Sequence, residues 1–244
     1  MTGERVVLVT GGASGIGAGL ARGFAAEGDR VLVVDVNDAD GHQVADEIGG
    51  AFCHADVSDL DANRAAVAQA VSTFGGLDVV CLNAGVGGGT GIDANFDRDT
   101  YHRTVGINLD GMVYGANAAL PALRERGGGA IVMTSSIAGI APAVDLYYST
   151  AKHAVIGFMR SLSMVLTREP ITVNAICPGF VDTPLIAPAR DALIQHGLGM
   201  LRPAEVAEVV LAIVAGGQTG QAWEVQAGRP AEPIEFRTVT LSRT

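Results

Sequence analysis

The chain alternates short, wholly apolar runs with longer stretches in which apolar residues return every three or four positions. Val6–Val9, Val31–Val34, Val79–Leu82 and Ile131–Met133 contain no polar residue. That is the pattern of strands buried on both faces of a parallel sheet. In chain order the pattern predicts strands at Val6–Val9, Arg30–Asp35, Ala51–Ala55, Asp78–Leu82, Ala130–Thr134, Pro170–Cys177 and Gln221–Val225. Helical spacing fills the intervals: beyond Gly17, over Asp38–Ile48, up to about Thr73, over Arg98–Arg124 with an interruption near Gly106–Gly111, and over Tyr147–Arg168 and Pro203–Val214. Regular alternation with neither repeat nor linker predicts one α/β domain over residues 1–244, a doubly wound parallel sheet of about seven strands with helices on both faces. Two stretches break the rhythm. Residues 180–202 are irregular and mostly apolar, a segment placed to cover a site. Residues 228–244 form an extension, in which Glu232–Leu241 alternates polar and apolar positions and predicts a strand against a neighbouring subunit.

The first strand runs into Thr10-Gly11-x-x-x-Gly15-x-Gly17, with Ser14 and Ile16 between the glycines. A strand, a glycine turn and a helix start suit a pyrophosphate: the backbone can come close, and the free N–H groups of the first helical turn face the negative charge. The second strand ends in Asp35. In a dinucleotide-binding sheet a carboxylate there accepts hydrogen bonds from the adenosine ribose and repels the extra phosphate of NADP. Val36 and Asn37 follow without a basic residue. The cofactor expected is NAD.

The fifth strand delivers Ser135 and Ser136 to the carboxyl edge of the sheet, where open α/β sheets bind ligands. Tyr148 and Lys152 follow, four apart in a helical stretch and so on one face. A neighbouring ammonium is expected to draw the phenol pKa down from about 10. Asn108 sits between apolar neighbours inside a long helix, where a polar amide needs a reason; one is a kink with a satisfied side chain.

Together with Asn83-Ala84-Gly85, these elements, in this order over about residues 5 to 228, resemble the classical short-chain dehydrogenase/reductase family, with its Rossmann-type fold. Asn174–Val181 and Lys152–Val155 are similar to its 15-hydroxyprostaglandin dehydrogenase branch. The resemblance implies reversible hydride transfer between a secondary alcohol and its ketone. Catalysis would rest on Asn108, a serine, Tyr148 and Lys152, with Asn108 holding a water of the proton relay. It places Asp56 and Val57 by the adenine, and Asn83, Ala84 and Gly85 along the cofactor. Pro178, Gly179, Val181 and Thr183 would lie around the nicotinamide carboxamide. It also implies a homodimer or homotetramer pairing two long helices. Spacing to Tyr148 selects Ser135 if the family's usual thirteen residues hold, but the local motif Ser135-Ser136-Ile137-Ala138-Gly139 aligns Ser136. A loop loses one residue more cheaply than a strand reverses its side chains, so Ser136 is expected.

Composition narrows the field. The net charge is −10 with no basic run, which disfavours nucleic acid as a partner. No apolar run reaches the roughly 18 residues of a membrane span. The beginning of the chain has no signal-peptide layout, and Cys53, Cys81 and Cys177 stand apart in apolar surroundings, so a cytoplasmic protein with reduced thiols is expected. No metal site is predicted. Leu185, Ile186, Leu193, Ile194 and Leu198 make the covering segment oily, which predicts an apolar, near-neutral substrate, with Arg190 the residue that could instead receive a carboxylate. An epimerase or dehydratase sharing the Tyr–Lys pair, and a non-catalytic dinucleotide-binding regulator, are the alternative readings.

Overall fold

The computed structural model describes residues 4–237. Seven parallel strands, β1 (Val6–Thr10), β2 (Arg30–Asp35), β3 (Ala51–His54), β4 (Val79–Leu82), β5 (Gly129–Thr134), β6 (Ile171–Pro178) and β7 (Ala222–Val225), lie in the order 3-2-1-4-5-6-7. The connection reverses direction between β1 and β4, which opens a crevice at the carboxyl ends of these strands.

Strand alternation explains the uninterrupted apolar runs. Val6 and Leu8 face one layer, formed by α3 (Leu60–Phe74), α5 (Gly111–Glu125) and α6 (Leu146–Val165). Val7 and Val9 face the other, formed by α1 (Gly15–Ala26), α2 (Asp38–Ile48) and α8 (Pro203–Gly216). The runs Val6–Val9, Val31–Val34 and Val79–Leu82 are therefore apolar at every position. Caps set the helix starts: the Asn37 side chain accepts from Asp40 N–H, and Asp59 accepts from the N–H groups of Asp61 and Ala62.

The structure departs from the pattern in three places. The sheet has eight strands, because β8 (Glu232–Pro233) pairs antiparallel with β7, placing Glu232 opposite Glu224 and Pro233 opposite Trp223. The expected tail strand on a neighbouring subunit is thus corrected over this part: the chain pairs with its own sheet edge, Ile234 N–H donating to Ala222 O, and Phe236 lies under the Arg160 guanidinium of α6. The remainder of that expected strand, from residue 238, lies outside the described residues. Second, the covering segment is not wholly irregular; it contains α7 (Arg190–Gln195). The helical region 98–124, by contrast, is interrupted where the pattern expects it, α4 (Arg98–Val105) being joined to α5 by a π-turn over Gly106–Asp110. Finally, α6 leaves less apolar surface free than its composition suggests. Val155, Met159 and Leu166 are buried and Phe158 and Leu162 pack on the core, leaving Met164 and Val165 exposed. Among the described residues, no helix is long and apolar enough to cross a membrane.

Candidate active site

The crevice between β1 and β4 widens into a cavity of about 660 Å³ that runs from Asp35, Val36, Asp56 and Val57 past Gly11, Ser14, Gly15 and Ile16 to Tyr148 and Lys152. Asn83, Ala84 and Gly85 form its long wall and Thr183 closes over it. Glycine is required here by contact. A Cβ on Gly11, whose φ is +65°, would stand 2.8 Å from Ala84 Cα, and one on Gly15 (φ +50°) 2.9 Å from the Thr183 methyl. One on Gly17 would strike Gly11 O at 2.0 Å. Asp35 is held at the rim, taking the Ala13 N–H at 3.0 Å and the Asn37 N–H at 3.0 Å. A backbone-lined trough at a helix N-terminus with an anchored carboxylate at one end and a Tyr–Lys pair at the other fits an extended dinucleotide.

Five of the expected cofactor residues do not line this cavity: Pro178, Gly179 and Val181 line a second one, and Thr10 and Gly17 line neither. Thr10 is buried, its hydroxyl accepting from the N–H groups of Asn83 and Ala84, so it fixes the end of β4 instead. Gly17 is buried as the close-packing point of α1 on the turn. Asn83 ties three strands: its amide donates to Thr10 O and its carbonyl accepts from the Thr134 hydroxyl at 3.0 Å. Asp56 accepts from the N–H and hydroxyl of Ser58, while Asp59 caps α3.

A second cavity of about 450 Å³ opens against the same tyrosine. Its walls are the loop after β5, with Ser135, Ser136 and Val144, and the turn after β6, with Pro178, Gly179, Phe180 and Val181; Thr183 and Leu185 border both cavities. Adjacent serines on one strand end turn opposite ways. The buried Ser135 hydroxyl donates to Lys152 O at 2.8 Å, whereas Ser136 turns toward the Tyr148 phenol and accepts the Ala138 N–H at 3.1 Å.

The electrostatics correct one expectation. The Tyr148 phenol lies above its ordinary value, because burial disfavours phenolate; hydrogen bonding from Ser136 opposes this, and the Asp145 carboxylate adds to it. Burial also works against the charge of Lys152 beside it. Its ammonium is buried, donates to Thr134 O at 2.8 Å with Nζ 5.5 Å from the Tyr148 ring centre, and is pushed down to about 7 by desolvation. The Cys177 and Cys81 thiols are pushed up to about 12 by burial, and all three cysteines are buried and unpaired.

Asn108 lies in the π-turn, where Gly111 N–H reaches back five residues to Gly106 O. It is fully buried; its amide donates to Val86 O and Thr104 O, both at 2.9 Å, and its oxygen accepts the Val86 N–H at 3.2 Å. The kink and the satisfied side chain are both present. A Cβ on Gly85 would meet Asn108 Oδ1 at 2.8 Å and Lys152 Nζ at 3.3 Å, so both groups approach the Gly85 backbone closely.

The stretch Gly85–Gly91 contains five glycines. It has no helix or strand, but it is pinned by Asn108 to Val86, by Asp145 to Gly88 N–H at 2.8 Å and by the Tyr147 hydroxyl to Gly91 O. Arg190 pairs with Asp182 at 2.8 Å instead of facing the second cavity, and His196 is an exposed residue folded onto Ala192 O. Sequence reasoning missed Arg103, Ile107 and Asp145. Arg103 and Ile107 stand one helical turn apart on the cofactor wall, and Asp145 precedes α6 by one residue, the position of an N-cap.

Residues 5–193 match the family model for short chain dehydrogenase, and the chain belongs to that family of nicotinamide-dinucleotide oxidoreductases. It is 37% identical over 216 residues to a cyclohexanol dehydrogenase of Acinetobacter sp. (strain SE19), spanning 85% of this chain and 86% of that one. It is 36% identical over 211 residues to a 3-alpha-(or 20-beta)-hydroxysteroid dehydrogenase of Mycobacterium bovis, spanning 85% and 81%. The solved 3-ketoacyl-(acyl-carrier-protein) reductase of Brucella melitensis, complexed with NADH, superposes with a TM-score of 0.84 at 30% identity, covering 92% of this chain and 98% of that one. These comparisons carry the family; they do not carry the 15-hydroxyprostaglandin branch.

Proposed function

We propose that this chain is an NAD-dependent dehydrogenase of neutral, predominantly apolar secondary alcohols, working reversibly with the ketone. The observation that carries the reading is the meeting of the two cavities at Tyr148, one a dinucleotide trough and the other an apolar chamber with Ser136 at the shared point. Its lining of alanine, valine, isoleucine and proline suits an alicyclic ring, as does the likeness to dehydrogenases named for cyclohexanol and hydroxysteroids.

In this reading Ser136 orients the carbinol oxygen and Tyr148 takes its proton during oxidation or returns it during reduction. A nicotinamide dinucleotide, when bound, would supply the acceptor for the hydride of the carbinol C–H. Lys152 would hold its nicotinamide ribose and pass on the proton that Tyr148 takes. The buried side-chain amide of Asn108 has both N–H groups committed, so Asn108 supports the relay by shaping the π-turn and the Gly85 wall. Asp35 selects NAD. Thr10, Gly11, Ser14, Gly15, Ile16 and Gly17 form the pyrophosphate turn; Val36, Asp56 and Val57 meet the adenosine; Asn83–Gly85, Pro178, Gly179, Val181 and Thr183 shape the nicotinamide end. The exposed Met164 and Val165 and the open Gly157 of α6 support helix pairing in a homodimer or homotetramer, and three buried free cysteines suit a cytoplasmic protein.

The test is a spectrophotometric panel: cyclohexanol, hydroxysteroids, sugars and polyols, each with NAD and with NADP. Turnover of apolar alcohols with NAD is expected. A best substrate that is a free sugar or polyol would end this reading, and nucleotide-sugar isomerisation without net cofactor reduction would favour the epimerase alternative.

A further inference from the structure

Asp145 stands where the alcohol cavity, the glycine stretch 85–91 and the start of α6 come together. One carboxylate oxygen accepts the N–H of Tyr148 itself at 3.0 Å, and the other accepts the N–H of Gly88 at 2.8 Å. The packing is tight: a Cβ on Gly88 would meet Asp145 Oδ1 at 2.6 Å and Tyr148 N at 2.9 Å. Among the described residues that line the 450 Å³ cavity, Asp145 is the only Asp, Glu, Lys, Arg or His. Lys152 lines the cofactor cavity and not this one, and Arg190 is occupied by Asp182.

We propose that Asp145 is a positioning and specificity-determining residue of this site: it clasps the 85–91 stretch to the catalytic helix and fixes a negative charge on the wall of the alcohol cavity, which excludes anionic substrates. The proposal deepens the dehydrogenase reading and rests on it for the identity of the excluded ligands. Physically, an anion entering an apolar chamber loses hydration and meets a like charge that water screens poorly. The same charge faces the phenol. The other ionisable groups around Tyr148 are Lys152 on its own helix, Cys177 from β6 with Glu224 of β7 behind it, and Arg103 of α4 across the cofactor cavity. Asp145 is the carboxylate among them that raises the phenol pKa.

Two variants separate charge from fold. Asp145→Asn keeps a carbonyl oxygen for the Tyr148 N–H, and Asp145→Ser keeps a hydroxyl helix cap; both remove the charge. The phenol is titrated by ultraviolet difference absorbance, with Tyr148→Phe subtracting the other tyrosines. In parallel, kcat/KM is measured with NAD for cyclohexanol and for 4-hydroxycyclohexanecarboxylate. Both variants are expected to lower the phenol midpoint by about half a pH unit or more, since removing a like charge favours phenolate. Both should raise the carboxylate-to-cyclohexanol ratio of kcat/KM about tenfold or more, the size of one charge contact. A midpoint or a ratio that stays at the parent's value overturns the proposal. The titration needs no substrate, so it decides the placement of Asp145 separately from the proposed reaction.

Discussion

The two cavities that share Tyr148 are built by opposite means. The dinucleotide trough is made of strand ends and helix starts, and two glycines of its turn stand where a Cβ would strike backbone: Gly11, which lines it, against Ala84, and Gly17, packed behind it, against Gly11. The alcohol chamber is made of connections, 137–145 and 178–186, and side chains give it its shape. There, a Cβ on Gly179 would reach no nearer than 3.4 Å to the Gln226 side chain, and Val144 and Leu185 are largely open to solvent. A trough defined by backbone can hold one ligand shape. A chamber defined by loop side chains can be recut without disturbing the sheet.

The sharpest way to break this contrast is a pair of glycine substitutions. Gly17→Ala forces the turn open, and calorimetry should show dinucleotide affinity falling about a thousandfold, roughly 4 kcal/mol, with a lower Tm. Gly179→Ala should leave that affinity within a few-fold. Equal losses would show that both walls are equally rigid.

Next in size is the serine pair. Ser136→Ala should lower kcat/KM for cyclohexanol about a hundredfold, the scale of removing one oriented donor from a reacting oxygen. Ser135→Ala should stay within a few-fold, because its hydroxyl is spent on Lys152 O. The reverse ranking would assign the chamber to the wrong face of β5.

The smallest effect concerns the far end of the trough. With Asp35 in place, kcat/KM should favour NAD over NADP by at least about tenfold, or 1.4 kcal/mol. Asp35→Ala should narrow that gap while weakening NAD, since the carboxylate also fixes the Ala13 and Asn37 N–H groups. Equal use of both cofactors by the parent protein would remove the selecting role from Asp35.

The same division explains what could be read from the chain. Strand positions were legible because burial on both faces leaves unbroken apolar runs, and the trough was legible because close backbone contact demands glycine at fixed spacing. Side-chain alternation at the end of β5 was legible as well, Ser135 turning to Lys152 O and Ser136 toward Tyr148. The parts missed depend on distant partners. Asp145 meets Gly88 across 57 residues and Tyr147 meets Gly91 across 56, and neither contact leaves a periodic trace. Sequence spacing puts Lys152 beside Tyr148 but says nothing of how dry the site is. Desolvation therefore reversed the expected direction of the phenol. The tail was misplaced for a similar reason: alternation announces a strand but not which edge it joins.

That tail also decides how the sheet ends. A parallel edge strand such as β7 would present a row of unused N–H and C=O groups, an invitation for another chain to extend the sheet. Here a two-residue strand running the other way takes that place, and one of its two residues is Pro233, which has no N–H to offer. The outer margin of the sheet is thus blunted by Glu232 and Pro233 of the same chain. Strand-to-strand polymerisation at this edge is disfavoured.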